Sequence, residues 1–412
     1  VIARLTNYDV QVDRNLVLQH TGWVVLGHLC EAFARHLGLD LSRRLMRLNL
    51  RLLAIALTVV AVLGGGVHWL HGVQNQRHAA FFLAQAQRDK ADGRAPEAVE
   101  GFRRYLRLAP DDTDARAELG MLLADRRHAS EAFATMERVL QEQPDRQDVR
   151  RRLVDVALQV GRPSDAQEHL AALLKDAPND AELLELKGVC LFSTRKYAEA
   201  AQVFTEATAS DPARLSAYRY LAGVLDGPLD RAAEAEQCMD RAVAKNPRSA
   251  EAYCLRGTYL LGAKQAERGA ADAAEALKLD GDNIEALWLT ARCATVLGRY
   301  DEARGFARRG IELEPARPAL WLSLADAERG LGKVEAWRSA LEDGLKANPK
   351  NGEILFRLAA IRLDEGNAEQ AEEAIREFAA AGGDGVLVEF LRARLVQSQG
   401  QWIAARNQFD AV

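Results

Sequence analysis

Aromatic residues make up only 6% of the 412-residue chain, and its five cysteines include no CxxC pair. Spaced this way, Cys30, Cys190, Cys238, Cys254 and Cys293 offer neither a disulfide framework nor a zinc ribbon; they read as small residues for helix packing. The glycine-rich phosphate and dinucleotide loops are missing, as are HExxH and GxSxG, so no catalytic centre, cofactor or metal is expected. Cationic excess is also missing from most of the chain. Eight arginines against four carboxylates leave residues 1–78 at +4, so of the formal net charge of −5 the remaining 334 residues hold −9. That balance excludes a nucleic-acid footprint. Acidic groups such as Glu369, Glu372 and Glu373, and the pairs Arg103-Arg104, Arg126-Arg127 and Arg308-Arg309, read as solvated helix faces.

What the chain has is alanine and leucine, which lose little rotamer freedom in a helix. It also has one long uncharged run, Leu52–Leu70. As a helix this run reaches about 28 Å, close to the apolar thickness of a bilayer. Arg43, Arg44, Arg47 and Arg51 precede it, Arg77 is the nearest cation after it, and Trp69 sits where an interfacial anchor would. Cations stay on the cytoplasmic side, so the expectation is a single-pass anchor, N-terminus inside and the rest outside the cytoplasm. A cleaved signal peptide and a buried core helix are the competing readings. His68, His71 and His78 read as interface residues rather than ligands. Residues 1–45, which begin at Val1, are either a small cytoplasmic appendage or an upstream extension before Met46; 46–78 form the basic flank and anchor.

Beyond the anchor the sequence is periodic. Pro110, Pro144, Pro178 and Pro212 stand 34 residues apart, Pro247 follows after 35, and Gly281, Pro315, Pro349 and Gly383 resume the 34-residue phase. The extra residue falls near Gly227-Pro228. Each period holds two short amphipathic helices. A small residue recurs in the first (Gly120, Gly188, Gly257 among others) and another twelve residues on in the second (Ala132, Ala166, Ala200), so that the pair can approach closely. Large residues such as Phe102, Leu170, Phe204, Met239, Leu341, Ile375 and Phe409 fill the seam, and Gly93, Gly161, Gly298, Gly332, Gly366 and Gly400 mark the turns.

This pattern resembles the tetratricopeptide repeat family, most closely in 297–315 (LGRYDEARGFARRGIELEP) and 363–378 (LDEGNAEQAEEAIREF). The resemblance covers 79–412 and implies an all-α architecture: an α-solenoid of about ten 34-residue helix-turn-helix repeats, preceded by one transmembrane helix. Val154, Gly269 and Trp337 depart from the pattern, and Trp337 is expected to distort its helix pair. By resemblance, the second, fifth, ninth, twelfth and thirteenth positions of each unit face a groove. These include Arg151, Arg219, Trp288, Arg292, Asp326, Arg329, Phe356, Phe390 and Arg394. Aromatic residues beside arginines dominate protein-binding energy, so these residues are candidates for contact with a partner protein or peptide. The competing reading is packing between successive first helices.

The expected function is a membrane-tethered scaffold of the bacterial envelope, binding protein partners in assembly or export. Two other readings are the regulatory arm of a larger, glycosyltransferase-like enzyme with its catalytic domain beyond Val412, and a cytoplasmic adaptor. The sequence stops inside the second helix of the tenth unit, so a longer protein is expected.

Overall fold

The computed structural model describes residues 50–125 and 128–411. Segment 1–45, the flank residues Arg43, Arg44 and Arg47, Cys30 and the Arg126-Arg127 pair lie outside the described residues, as does the His68 side chain. The chain divides after Ala80 into two units. Among the described residues there are helices and no strands.

The first helix, α1 (Leu50–Ala91), is 42 residues long. Among the described residues no helix is long and apolar enough to cross a membrane. The span expected over Leu52–Leu70 is thus not shown, and the Leu52, Ala54, His68 and Leu70 side chains of that run lie outside the described residues. The helix does not stop at the end of the apolar run but continues through Gln74, Asn75, Gln76 and Arg77.

After α1 the chain alternates second and first helices of successive repeats. The second helices are α2 (Ala95–Leu108), α4 (Ala129–Glu142), α6 (Pro163–Asp176), α8 (Tyr197–Ser210), α10 (Ala232–Lys245), α12 (Ala266–Leu279), α14 (Tyr300–Leu313), α16 (Val334–Ala347), α18 (Ala368–Ala380) and α20 (Trp402–Phe409). The first helices are α3 (Thr113–Asp125), α5 (Gln147–Gln159), α7 (Ala181–Ser193), α9 (Leu215–Asp226), α11 (Ala250–Gly262), α13 (Ile284–Val296), α15 (Pro318–Gly330), α17 (Gly352–Asp364) and α19 (Gly385–Ser398). Consecutive helices pack on one another along the whole series. Most are 12 to 14 residues long, too short to hold alone in water, so each is stabilised by its neighbours.

Both expected classes of small and large residue meet in the seams. Phe102, Leu170, Phe204, Met239, Leu341 and Ile375 are buried, as is Val154. A Cβ on Gly188 would come within 2.5 Å of the Phe204 ring, so the two helices touch through that glycine. The departure at Gly269 has a similar cause: a Cβ there would lie 2.9 Å from the carbonyl oxygen of Gly257, an approach closer than alanine allows. All six turn glycines expected between first and second helices take positive φ, from 71° to 79°. Arg195, Asp230 and Lys264 do the same job with φ of 61°, 52° and 62°, at the cost of side-chain crowding. Trp337 does not break α16. It packs against the core around Leu341 and Ile354, with its Nε1 buried and unpaired.

Four cysteines fall among the described residues. Cys190, Cys238, Cys254 and Cys293 are free and buried, and burial pushes their thiols up to about 11 or 12. They sit in helix seams as small apolar residues.

Candidate protein-binding face

Successive first helices touch one another directly, as α11 does α13 and α13 does α15; second helices are spaced more widely. The first helices therefore line the tighter, inner side of the stack. Their exposed faces carry charge because the positions that do not enter a seam are polar, and those charges are tied together from one repeat to the next.

Arg146, ahead of α5, reaches Asp114 of the preceding repeat at 2.6 Å and Asp148 of its own at 2.9 Å. Arg151 donates to Asp180 Oδ2 at 2.9 Å; Asp180 in turn accepts from the backbone N–H groups of Glu182 and Leu183 and caps α7. Burial pushes the Asp180 carboxyl up, but these donors overcome it and hold it below its ordinary value. Buried Glu185 accepts from Arg214 at 2.8 Å and from the Ser216 hydroxyl at 2.5 Å. Further along, Asp326 joins three repeats. It accepts from Arg292 of α13 at 3.1 Å and from Arg357 of α17 at 2.6 Å, and Arg357 also reaches Glu353 at 2.7 Å. Burial alone would lower the Arg357 guanidinium, yet Glu353 and Asp326 hold it above its ordinary value. Arg394 pairs with Asp364, and Arg317 with Glu285.

The candidate residues thus fall into three groups. Arg151, Arg292 and Arg394, with Asp326, are held in pairs between repeats. Trp288 and Phe356 are half-buried: Trp288 packs against Leu289 and Cys293, and Phe356 lies 5.8 Å from the Phe378 ring. Arg219, Arg329 and Phe390 are exposed. Arg329 lies over the Trp337 ring at 5.8 Å, and the Phe390 ring lies 5.9 Å from that of Phe409. Arg219 stands at the same point of its repeat as Arg151. Ser249 replaces the capping carboxylate, and Arg219 has no ion pair among the described residues. The carboxylates Asp180, Asp364 and Glu353 and the guanidinium of Arg357 were not singled out from sequence. The available signal was a spacing of about one period for Asp180, Asp364 and the Arg357–Asp326 pair, and of four residues for Glu353 and Arg357.

On the side of the second helices the wider spacing leaves two crevices. One, of about 340 Å³, lies between α12, α13 and α14; another, of about 580 Å³, lies between α16, α17 and α18. No group of three or more metal-ligating side chains occurs among the described residues.

Matches to family models agree with this geometry. Residues 151–214 and 318–361 match the tetratricopeptide repeat family, and 229–309 match the description "Anaphase-promoting complex, cyclosome, subunit 3". A curated relative, cellulose synthase operon protein C of Xanthomonas axonopodis pv. citri (strain 306), is 25% identical over 326 residues, or 76% of this chain. The chain spans only 21% of that relative's length. Among solved structures, a tetratricopeptide repeat protein from Parabacteroides merdae is 18% identical with a TM-score of 0.47, covering 61% of this chain and 98% of that one. Yeast Tom70 is 15% identical with a TM-score of 0.43, covering 82% and 84%. Segments 151–214 and 318–361 thus match tetratricopeptide repeats, and helix pairs of similar length recur from Ala95 to Phe409.

Proposed function

We propose that residues 79–412 form a non-catalytic scaffold that binds protein or peptide segments along the first-helix face, tethered to a bacterial inner membrane through residues 52–70. The N-terminus lies in the cytoplasm and the repeats outside it. The observation that carries the binding role is the contrast on one face between charges neutralised in pairs and the exposed Arg219, Arg329 and Phe390. A partner meets a face whose shape is fixed by its own ion pairs, and finds there groups with unspent interaction energy. The tether is supported by the arginine bias around 52–70 and by eight exposed large apolar side chains among those described within 52–70, Val62 at 68% and Trp69 at 67% included. Envelope assembly or export is supported by the likeness to cellulose synthase operon protein C. The short share of that relative's length favours a second reading, in which the repeats are the partner-binding arm of a larger enzyme.

A photo-reactive amino acid in place of Phe390, in the native host, tests binding and sidedness together. Illumination of intact cells is expected to give discrete adducts with extracytoplasmic proteins. Adducts with cytoplasmic proteins would overturn the orientation, and no adduct at all would count against the face.

A further inference from the structure

The second-helix side carries its own pattern of closure. Arg103 of α2 bridges to Glu131 of α4 at 2.7 Å, Glu137 of α4 to His169 of α6 at 2.9 Å, and Glu236 of α10 to Arg268 of α12. These long side chains close the gap between consecutive second helices. On α12 the positions equivalent to Glu236 and to Arg103 and Glu137 are Ala270 and Ala274. Nothing spans from them to α14, and the crevice of about 340 Å³ opens there.

Its floor is apolar, formed by Ala270, Ala274, Leu277, Ala294, Leu297 and Phe306. Its rim holds Glu267, Glu302 and Arg299, none of them ion-paired among the described residues, so the rim is net acidic. We infer that this crevice is a second docking site, for a basic amphipathic helix of a partner protein that seats apolar side chains against α12 and α14. The chemistry is that of a helix laid in a groove: apolar anchors a turn apart enter the floor, and lysines or arginines beside them meet Glu267 and Glu302. An acidic helix would meet two like charges for each opposite one and is disfavoured. The site lies among the second helices, away from the first-helix face, so the array can hold two partners at once.

The test uses the full chain and a labelled 14-residue peptide with leucines at i, i+3, i+4 and i+7 and lysines elsewhere, read by fluorescence anisotropy at low salt. Saturable binding is expected, and the matching peptide with glutamates for lysines should not bind. Ala274→Phe fills the crevice and is expected to weaken binding about tenfold or more. The paired change Glu267→Lys with Glu302→Lys should do the same without touching the floor, which covers the case in which filling disturbs packing. Unchanged affinity in both variants would overturn the site. So would a loss on Trp288→Ala but not on Ala274→Phe, which would put the peptide on the first-helix face instead.

Discussion

Phe204→Ala is expected to cost about 3–5 kcal/mol, the range for emptying a large buried aromatic site. Phe204 is fully buried, stacks on Tyr220 with ring centroids 5.4 Å apart, and fills the space that Gly188 leaves open. The cavity cannot close easily, because α7 and α8 already touch through that glycine. In a stack where each repeat rests on its neighbours, the loss is local in origin but shared along the array. Amide exchange should therefore speed up first in α7, α8 and α9, and only weakly at α17 and α18. A uniform change along the chain, or a cost under about 1 kcal/mol by urea unfolding, would contradict the packing described here.

The second large effect is electrostatic. Asp272 of α12 is 4% exposed and receives two hydrogen bonds from Arg256 of α11, at 2.8 and 2.6 Å. The same guanidinium reaches Asp240 of α10 at 3.0 Å, so one arginine ties three helices together. Asp272 is the first cause that raises the Arg256 guanidinium above its ordinary value. Asp272→Ala leaves a partly buried cation with one exposed partner, and a loss of about 3 kcal/mol is expected. Replacing both groups, Arg256→Met with Asp272→Leu, should recover most of that loss, because no unpaired charge is then left inside. A double variant less stable than the single one would show that Arg256 without Asp272 is not a destabilising unpaired charge, contrary to this account.

The 34-residue phase of Pro110 to Gly383 was enough to place helix pairs, turn glycines and seam residues, because each of these follows from local propensity and from one period. Even Gly269 was visible as a departure, although its reason, the carbonyl of Gly257, appears only in three dimensions. The face was half legible. Position within the repeat put Arg151, Arg292 and Arg394 on it, but a partner 29, 34 or 30 residues away decides whether an arginine is free. Sequence alone did not say that Asp180, Asp326 and Asp364 claim them while Ser249 leaves Arg219 alone. The α12 crevice was missed for a related reason. Large residues mark the seams in the sequence, whereas the crevice is marked by two small ones, Ala270 and Ala274, on the opposite side. Trp337 leaves its own helix continuous, because a half-buried ring packs beside α17 and under Arg329 without unwinding it.

The central claim, that the first-helix face binds protein, is tested most directly by changing Trp288 and Phe390 together to alanine and measuring capture of the cross-linked partner by the purified chain. Both residues lie on that face, 102 positions apart, and neither takes part in the ion pairs that join its repeats. Partner affinity is expected to fall at least tenfold while the helical signal is retained, with some loss of melting temperature because Trp288 also packs against Leu289 and Cys293. Undiminished capture by a folded double variant would contradict the account.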